Sequence, residues 1–374
     1  MGTYLKRLSL AGYRSYDNEF EKNTIDFQKL NIIIGANGAG KSNLVSFLEM
    51  ISYMMTRGLR SYVSRQGGGN SLMYFGPKNT DQIRGDLLLQ DQTGGKTDKY
   101  SFALELSATN QLFFAEEKME YQDQRYSSPY VQDFGVGHFE AGVADSGDVT
   151  VRTLRGCLER LKIFHFNDTS ISSRIRSSTN TADGGYLRAD GGNLAGFLYR
   201  LKKNEAEYAY YQRIVRYVRM ILPQFYDFVL EPDENGYISL NWVQNGAEEV
   251  FGPHQLSDGA LRFIALTTLL LQPSVSAPMT IILDEPEIGL HPYAISVLAR
   301  EIRMANKTSQ IIVSTQSPLL LNHFTCDDII TAEYDPGRQA SVLRRHTSDE
   351  LKEWLNDYSL GELWEKNVLG GLPV

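Results

Sequence analysis

The chain has 374 residues, 42% of them hydrophobic and 22% charged, which is the composition of a globular protein with a sizeable core rather than a disordered one. Its net charge of −8 is unlike that of proteins that depend on extensive phosphate contacts, although a local basic groove remains compatible with it. No apolar run approaches the roughly 20 residues that cross a bilayer, and no export signal is evident. Two distant cysteines, Cys157 and Cys326, indicate a reducing compartment without a disulfide framework or a structural zinc site. We therefore expect a cytoplasmic protein with no membrane segment.

The N-terminal third predicts strands, a glycine-rich turn and a helix. Residues 5–13 alternate as a half-buried strand does, and Leu30–Ile34 is a β-branched run typical of a strand buried on both faces. A helix is predicted over about 41–56. From 61 to 153, glycine clusters separate short alternating runs, which indicates an antiparallel sheet. Within it, the polar stretch 122–148 is expected to be an exposed or partly disordered loop.

The rest of the chain predicts an α/β arrangement. Residues 193–222 form the best helical pattern, which ends before Pro223. Helices and buried strands then alternate from 254 to 318, with strands at 279–283 and 310–314. We divide the chain into an N-terminal lobe (1–190), a helical lobe (191–260) and a C-terminal part of the core (261–374).

The strongest motif is a glycine-rich loop between a predicted strand and a predicted helix. It matches G-x-x-x-x-G-K-S and consists of Gly35, Ala36, Asn37, Gly38, Ala39, Gly40, Lys41 and Ser42. Glycines let backbone N–H groups surround phosphates, and the following helix directs its positive end at them. Lys41 would reach the β- and γ-phosphates and Ser42 would bind Mg²⁺, with Asn43 completing the predicted nucleotide-binding set. The motif predicts ATP and Mg²⁺ as ligands.

A second motif lies at the end of the strand predicted at 279–283. Asp284 follows this strand and can place its carboxylate beside the magnesium ion of a P-loop. Glu285 is then positioned to orient or deprotonate the attacking water. Acidic residues at a strand end mean little alone, but together with the P-loop they predict hydrolysis.

A third motif is Leu-Ser-Asp-Gly-Ala-Leu-Arg, which occupies 256–262. It fits an ordinary helix start with Ser257 as the N-cap. A small turn around Gly259 also offers a hydroxyl, backbone N–H groups and a helix dipole, all suited to a γ-phosphate.

The order of these motifs resembles the ABC-type ATPases of the RecF/SMC/OLD group, and more closely the compact RecF-like ATPases of the bacterial AAA-21 type. The resemblance rests on the P-loop, L-S-D-G-A-L-R, D-E-P, E-I-G-L-H-P and I-V-S-T-Q-S-P, and on the tails Y-S-L-G-E-L-W and L-G-G. It covers both ends of the chain and is weak over about 60–190. It implies an α/β P-loop NTPase fold of the ABC type, with a mixed sheet core, an antiparallel β subdomain and a helical lobe.

The resemblance also implies a dimer that closes around ATP. Ser257 and Gly259 would act in trans on the ATP held by the P-loop of the partner subunit. Gly289, Leu290 and His291 would form the loop that crosses the dimer interface.

The resemblance further implies that Gln316 occupies the switch position, where many ABC ATPases carry histidine. Glutamine can hydrogen-bond the γ-phosphate or water but cannot titrate, so slow turnover is a reasonable hypothesis. The expected catalytic residues are Glu285, Gln316 and Lys41, and the expected magnesium ligands are Ser42 and Asp284.

Two further segments allow two interpretations each. Tyr13, Arg14 and Tyr16 resemble the aromatic and arginine stretch that lies near the nucleotide in this group, and they also fit an ordinary strand end. Asn167 and Asp168 are candidates for the magnesium-contacting loop between lobes, and a turn or cap role for Asn167 fits equally well.

Arg213, Arg216 and Arg219 recur every three residues and would occupy one broad side of a helix. They either contact nucleic-acid phosphates or form a solvated helix face, and the second interpretation is the more common.

Three functions are compatible with the sequence, and we expect the first of them. The first is an ATP-dependent homodimer, or a higher oligomer, that acts in nucleic-acid maintenance or anti-phage defence with a separately encoded nuclease or other effector. The second is the nucleotide-binding subunit of a transporter, although the motif L-S-D-G-A departs from L-S-G-G-Q. The third is a slow ATP-dependent sensor or scaffold.

Overall fold

The computed structural model describes residues 2–371. Its strands are β1 (Thr3–Ala11), β2 (Thr24–Asp26), β3 (Leu30–Ile34), β4 (Gln82–Asp91), β5 (Lys96–Leu106), β6 (Leu112–Asp123), β7 (Tyr130–Asp133), β8 (Leu161–Phe164), β9 (Thr179–Asn180), β10 (Phe225–Val229), β11 (Tyr237–Ile238), β12 (Asn241–Gln244), β13 (Val250–Phe251), β14 (Thr280–Asp284), β15 (Gln310–Thr315), β16 (Ile329–Asp335) and β17 (Ala340–Arg345). Its α-helices are α1 (Lys41–Met54), α2 (Leu59–Arg65), α3 (Val149–Glu159), α4 (Leu194–Lys203), α5 (Tyr208–Ile221), α6 (Asp258–Leu270), α7 (Pro292–Ala305), α8 (Pro318–Leu321) and α9 (Leu360–Glu365). None of the helices in this range is long and apolar enough to span a membrane.

The first of two compact units comprises the described residues up to 163, residues 279–282 and those from 312 onward. It contains an antiparallel sheet in the order β2-β1-β4-β5-β6-β7. Leu8, Leu87, Tyr100 and Met119 face one another across four neighbouring strands, and all four are fully buried. Since residues alternate faces along a strand, this row marks the face of the sheet that packs into the core. The predicted antiparallel subdomain is confirmed.

The same unit contains most of a mixed sheet in the order β17-β16-β3-β15-β14-β8. Strand β16 pairs parallel with β3 and antiparallel with β17. All five residues of β3 are buried, as predicted for a strand covered on both faces. This strand leads directly into the glycine-rich loop and α1, so the fold holds the loop at the end of a fixed strand.

The second unit comprises residues 164–278 and 283–311 and holds α4 to α7 with two small antiparallel sheets. Phe263 of α6 packs with Ala294 and Val297 of α7, and partly buried side chains of α5 complete this cluster. In α6, every residue from Ala260 to Leu270 is buried. The helix that follows the third motif is therefore fixed along most of its length. The division of the chain at 190 and 260 stays a prediction.

Two expectations need correction. Residues 193–222 form two helices rather than one, because Asn204 leaves the helical conformation and its side-chain oxygen accepts from the Ala206 N–H at 3.1 Å. The stretch 122–148 contains β7 and a turn whose Val143 is fully buried. In that stretch the Glu140 carboxylate accepts from the N–H groups of Leu59 and Arg60 at the start of α2, at 2.9 and 3.1 Å. Helix α2 was not predicted, because this capping contact comes from a distant part of the chain.

A buried carboxyl group joins α6 to α7. Glu301 is fully buried, and its two oxygens lie 2.9 and 3.1 Å from the hydroxyl of Thr267. Burial raises the pKa of Glu301 well above its usual value, and the hydrogen bond from Thr267 offsets part of that shift. The folded protein therefore holds this proton where the unfolded chain, with a pKa of about 4.3, has released it.

We expect Glu301→Gln to remove a pH-dependent loss of stability. The stabilising contribution of Glu301 is complete below the unfolded pKa and is lost as pH rises through the raised folded pKa. The difference in free energy of unfolding, variant minus wild type, should thus increase with pH above about 4.3. Denaturant titrations from pH 5 to pH 9 measure it, with the exposed Glu205→Gln as control. Parallel pH profiles of Glu301→Gln and wild type would contradict the assignment.

Candidate functional site

The glycine-rich loop presents backbone donors. Among residues 2–371, the amide groups of Asn37, Gly38 and Gly40 donate to no acceptor. Gly40 has φ +102°, and a Cβ there would overlap the side chain of Ser341, so this position requires glycine. Helix α1 begins at the next residue and has no acidic residue in its first turn. Free amides beside a helix N-terminus are the arrangement that binds phosphate groups.

Lys41 lies within this loop. It is 4% exposed, and its Nζ donates to the carbonyl oxygens of Gly35 at 2.6 Å and Ala36 at 3.0 Å. The ammonium group is therefore held against the same segment whose amides are available. Ser42 is exposed at the second residue of α1. These donors and this positive charge fit a polyphosphate, and the Ser42 hydroxyl fits one ligand of a phosphate-bound Mg²⁺.

The N-terminal aromatic and arginine stretch contacts the loop and its helix. The Tyr16 hydroxyl donates to the Gly40 carbonyl at 3.1 Å. Arg14 adopts φ +50°, and its guanidinium lies 3.5 Å from the side-chain oxygen of Asn43. Tyr13 is fully buried and packs edge-on against Phe47, so its role is to fill the core. Of the three, Tyr16 and Arg14 contact expected nucleotide-binding residues, Gly40 and Asn43 respectively, and Arg14 is the one that brings a positive charge there.

The C-terminal tail and β16 contact the glycine-rich loop. The Ala36 N–H donates to the Gly371 carbonyl at 2.8 Å, and a Cβ on Gly35 would overlap the Ala332 carbonyl of β16. The sequence did not predict a role for this tail in the site, because two glycines far along the chain from the motif do not indicate that they contact it. Gln316, the predicted switch residue, directly follows β15, the neighbour of β3 in the mixed sheet.

In the second unit, Asp284 ends β14 and Glu285 begins a turn. Glu285 has φ +47°, a conformation that non-glycine residues adopt rarely and that is common at functional sites. The turn is closed by the Ile288 N–H, which donates to the Glu285 carbonyl at 3.3 Å. Asp284 and Asn167 line the same recess, about 10 Å³ in volume, which is room for about one water molecule. The structure thus brings Asn167 to the residue predicted to bind magnesium.

The third motif begins α6 as predicted. Ser257 is the N-cap, and its hydroxyl accepts from the Ala260 N–H at 3.3 Å. Ser257 is exposed, whereas the helix it begins is buried. A Cβ on Gly259 would overlap the carbonyl oxygen of Gly289. Glycine is therefore needed at 259 for the helix start to lie against the loop of Gly289, Leu290 and His291.

Two buried arginines, neither assigned a role from the sequence, hold these segments together. Arg262, in α6, donates to the carbonyls of Phe166 and Asn167, each at 3.1 Å, and to that of Ile288. Arg176 donates to the carbonyls of Thr169 at 2.8 Å, of Leu256 at 3.2 Å and of Pro253, and pairs with the Asp258 carboxylate at 2.8 Å. An arginine in an otherwise apolar helix was the available sequence signal for Arg262. Together these contacts join the Asn167 segment, the start of α6 and the turn after Glu285.

The fold and the P-loop define an ABC-type P-loop ATPase architecture. Two solved structures of SMC head domains share it: a head bound to the C-terminal winged-helix domain of ScpA (TM-score 0.59, 17% identity, 94% of this chain and 99% of that chain), and the Pyrococcus furiosus head with an extended coiled coil, bound to the C-terminal domain of ScpA (TM-score 0.60, 17% identity, 95% and 99%).

The chain belongs to the family described as AAA domain, putative AbiEii toxin, Type IV TA system (AAA_21), whose model matches residues 30–322. It is also 47% identical over 49 residues to the structural maintenance of chromosomes protein 3 homolog of Plasmodium falciparum. That match covers 13% of this chain and 4% of the relative, so it concerns a short segment of each. The predicted membership in a RecF/SMC-like group of ABC-type ATPases is confirmed.

Proposed function

We propose that two copies of the chain bind two ATP molecules between them and hydrolyse them with Mg²⁺. In each site, the loop 35–42 of one subunit would hold the triphosphate, and Ser257 and Gly259 of the other would contact the γ-phosphate. Family membership supports nucleotide binding, and the amides and the ammonium of the loop fit its phosphates.

The exposed start of α6 is the main observation that supports a dimer. Ser257 is solvent-exposed, and the helix N-terminus that it caps offers backbone N–H groups suited to an anion. The turn after Glu285 and the start of α7 expose apolar side chains, with Ile288 45% and Tyr293 52% exposed. Exposed apolar groups beside exposed phosphate-binding groups are suited to a surface that a second subunit covers.

The proposed chemistry uses three side chains. The Glu285 carboxylate would accept a proton from water as the water attacks the γ-phosphorus, and ADP would leave. Lys41 would neutralise charge that develops on the phosphate oxygens. Gln316 would hydrogen-bond the water or the γ-phosphate without taking a proton, which supports slow turnover.

The client is proposed to be nucleic acid, in maintenance or anti-phage defence, with a separately encoded effector. The family description names a putative toxin of a type IV toxin–antitoxin system, which agrees with a defence role. The similar SMC heads were solved with domains of ScpA bound, which supports a protein partner for this chain as well. These similarities favour a nucleic-acid client over the two alternatives, a transporter subunit and a scaffold.

Mixing two inactive variants tests the shared site. Lys41→Ala should disable the P-loop, and Ser257→Asp should keep the helix N-cap while placing a negative charge against the γ-phosphate. Each alone should be inactive. In an equal mixture half of the dimers are mixed, and each mixed dimer has one intact site of two, so about a quarter of wild-type ATPase activity should return.

Ser359→Asp is the matched control, since Ser359 is an exposed N-cap of α9 and the change adds the same charge. It should hydrolyse ATP as the wild type does. An active Ser257→Asp variant, or a mixture with no recovered activity, would contradict the shared site.

A further inference from the structure

Helix α5 has one buried and one basic face. Tyr211, Ile214, Val215 and Val218 are buried, whereas Arg213, Arg216 and Arg219 are exposed. The helix contains no aspartate or glutamate. At 1.5 Å rise per residue, the three arginines span about 9 Å along the helix axis. We call them the α5 arginines.

The α5 arginines have no carboxylate partner among residues 2–371. Two acidic side chains, Glu207 at the N-cap of α5 and Asp227 on β10, are already paired. Asp227 lies 3.1 Å from the Lys202 ammonium and accepts from the Tyr211 hydroxyl at 2.5 Å. Glu207 lies 3.4 Å from Arg200. The chain has a net charge of −8, so three positive charges without a carboxylate partner give this part of the surface the opposite sign of charge to the protein as a whole.

Aromatic rings hold two of these guanidinium groups in place. Arg213 lies over Tyr210, 5.7 Å from the ring centre, and Arg219 lies over Tyr226 at 5.0 Å. Arg219 also donates to the Tyr226 carbonyl at 2.8 Å. Tyr226 remains 53% exposed. Arginines fixed on tyrosines lose less side-chain freedom when an anion binds, and the exposed ring can contact a base.

We propose that the α5 arginines bind the phosphodiester backbone of a nucleic acid. This proposal rests on the proposed function, because that function names nucleic acid as the client. It adds a binding surface on α5 that contains none of the residues expected to bind ATP. Guanidinium groups favour phosphate because their donors match its oxygens. An acidic protein would also be attracted by this charge, but the exposed Tyr226 ring beside it favours a nucleic acid.

Salt-dependent binding tests the proposal. Fluorescein-labelled 40-nucleotide DNA, as a single strand and as a duplex, is titrated with the full chain and with Arg213→Ala/Arg216→Ala, and anisotropy is followed between about 50 and 200 mM salt. The slope of log K against log salt is negative, and each lost phosphate contact lowers its magnitude by about 0.7 for a single strand and about 0.9 for a duplex. We therefore expect the double variant to lower the magnitude of the slope by about 1.4 or 1.8, respectively.

Two matched variants separate this effect from net charge and folding. Arg152→Ala/Arg300→Ala removes two exposed arginines from α3 and α7 and should keep the wild-type slope. Arg213→Lys/Arg216→Lys keeps the charge and should restore most of the slope, because counterion release depends on charge.

Equal slopes for Arg213→Ala/Arg216→Ala and the Arg152/Arg300 control would overturn the proposal, as would a wild type that binds neither probe. Phosphate release without DNA is measured on the same samples. If it is normal while DNA binding is absent, the α5 assignment fails and the ATPase proposal stands; if both are absent, the proposed function fails as well.

Discussion

Glu285→Gln is expected to lower the rate of ATP hydrolysis by about 10²–10⁴-fold, the contribution usual for a general base. Glutamine has nearly the same shape as glutamate but cannot accept the proton that water loses. Glu285 lies in a left-handed backbone conformation directly after β14, and glutamine places no new atom on that backbone. Nucleotide affinity should therefore be retained while turnover is lost. Single-turnover phosphate release, alongside binding of a fluorescent ATP analogue, separates the two quantities.

The exposed Glu205→Gln provides the control for loss of one carboxylate, and its rate should match that of the wild type. Wild-type hydrolysis by Glu285→Gln would remove Glu285 as the base. Weak nucleotide binding with a normal maximal rate would instead assign Glu285 a role in binding.

Arg262→Met is expected to destabilise the protein by about 2–6 kcal/mol and to abolish ATP hydrolysis. Methionine fills similar space but donates nothing to the carbonyls of Phe166, Asn167 and Ile288. The buried Phe166 carbonyl would cost about 1–3 kcal/mol without a donor, and the other two, in exposed residues, about 0.5–1.5 kcal/mol each since water can reach them. This loss is a large part of a typical stability of about 5–15 kcal/mol.

Denaturant unfolding of Arg262→Met measures this loss, with Arg300→Ala, an exposed arginine of α7, as the control that should change stability little. Arg262→Lys should be intermediate, because one ammonium cannot reach all three carbonyls in the guanidinium geometry. If Arg262→Met is as stable and as active as Arg300→Ala, the hydrogen bonds from Arg262 to the three segments do not stabilise the protein.

Local patterns sufficed where sequence neighbours determine the structure. The strand Leu30–Ile34, the glycine-rich loop and α1 adjoin one another in the chain, and burial, φ angles and helix start all follow from residue types there. Ser257 as an N-cap was predictable for the same reason.

Contacts between distant segments could not be predicted in this way. Helix α2 depends on capping by Glu140, and the Asn167 segment depends on Arg262, which donates to it from α6. The Gly371 carbonyl reaches the Ala36 N–H from the other end of the chain. A single sequence does not indicate which distant residues contact one another. The candidate site residues could therefore be predicted, but the buried arginines that position them could not.

The most direct test of an ATP-dependent dimer is the mass of Glu285→Gln by size-exclusion light scattering with and without Mg-ATP. We expect a mass near 42.2 kDa without nucleotide and about twice that with it, since the variant retains the ATP that joins the subunits. A mass that does not change with Mg-ATP, in a variant shown to bind the nucleotide, would contradict the sandwich dimer.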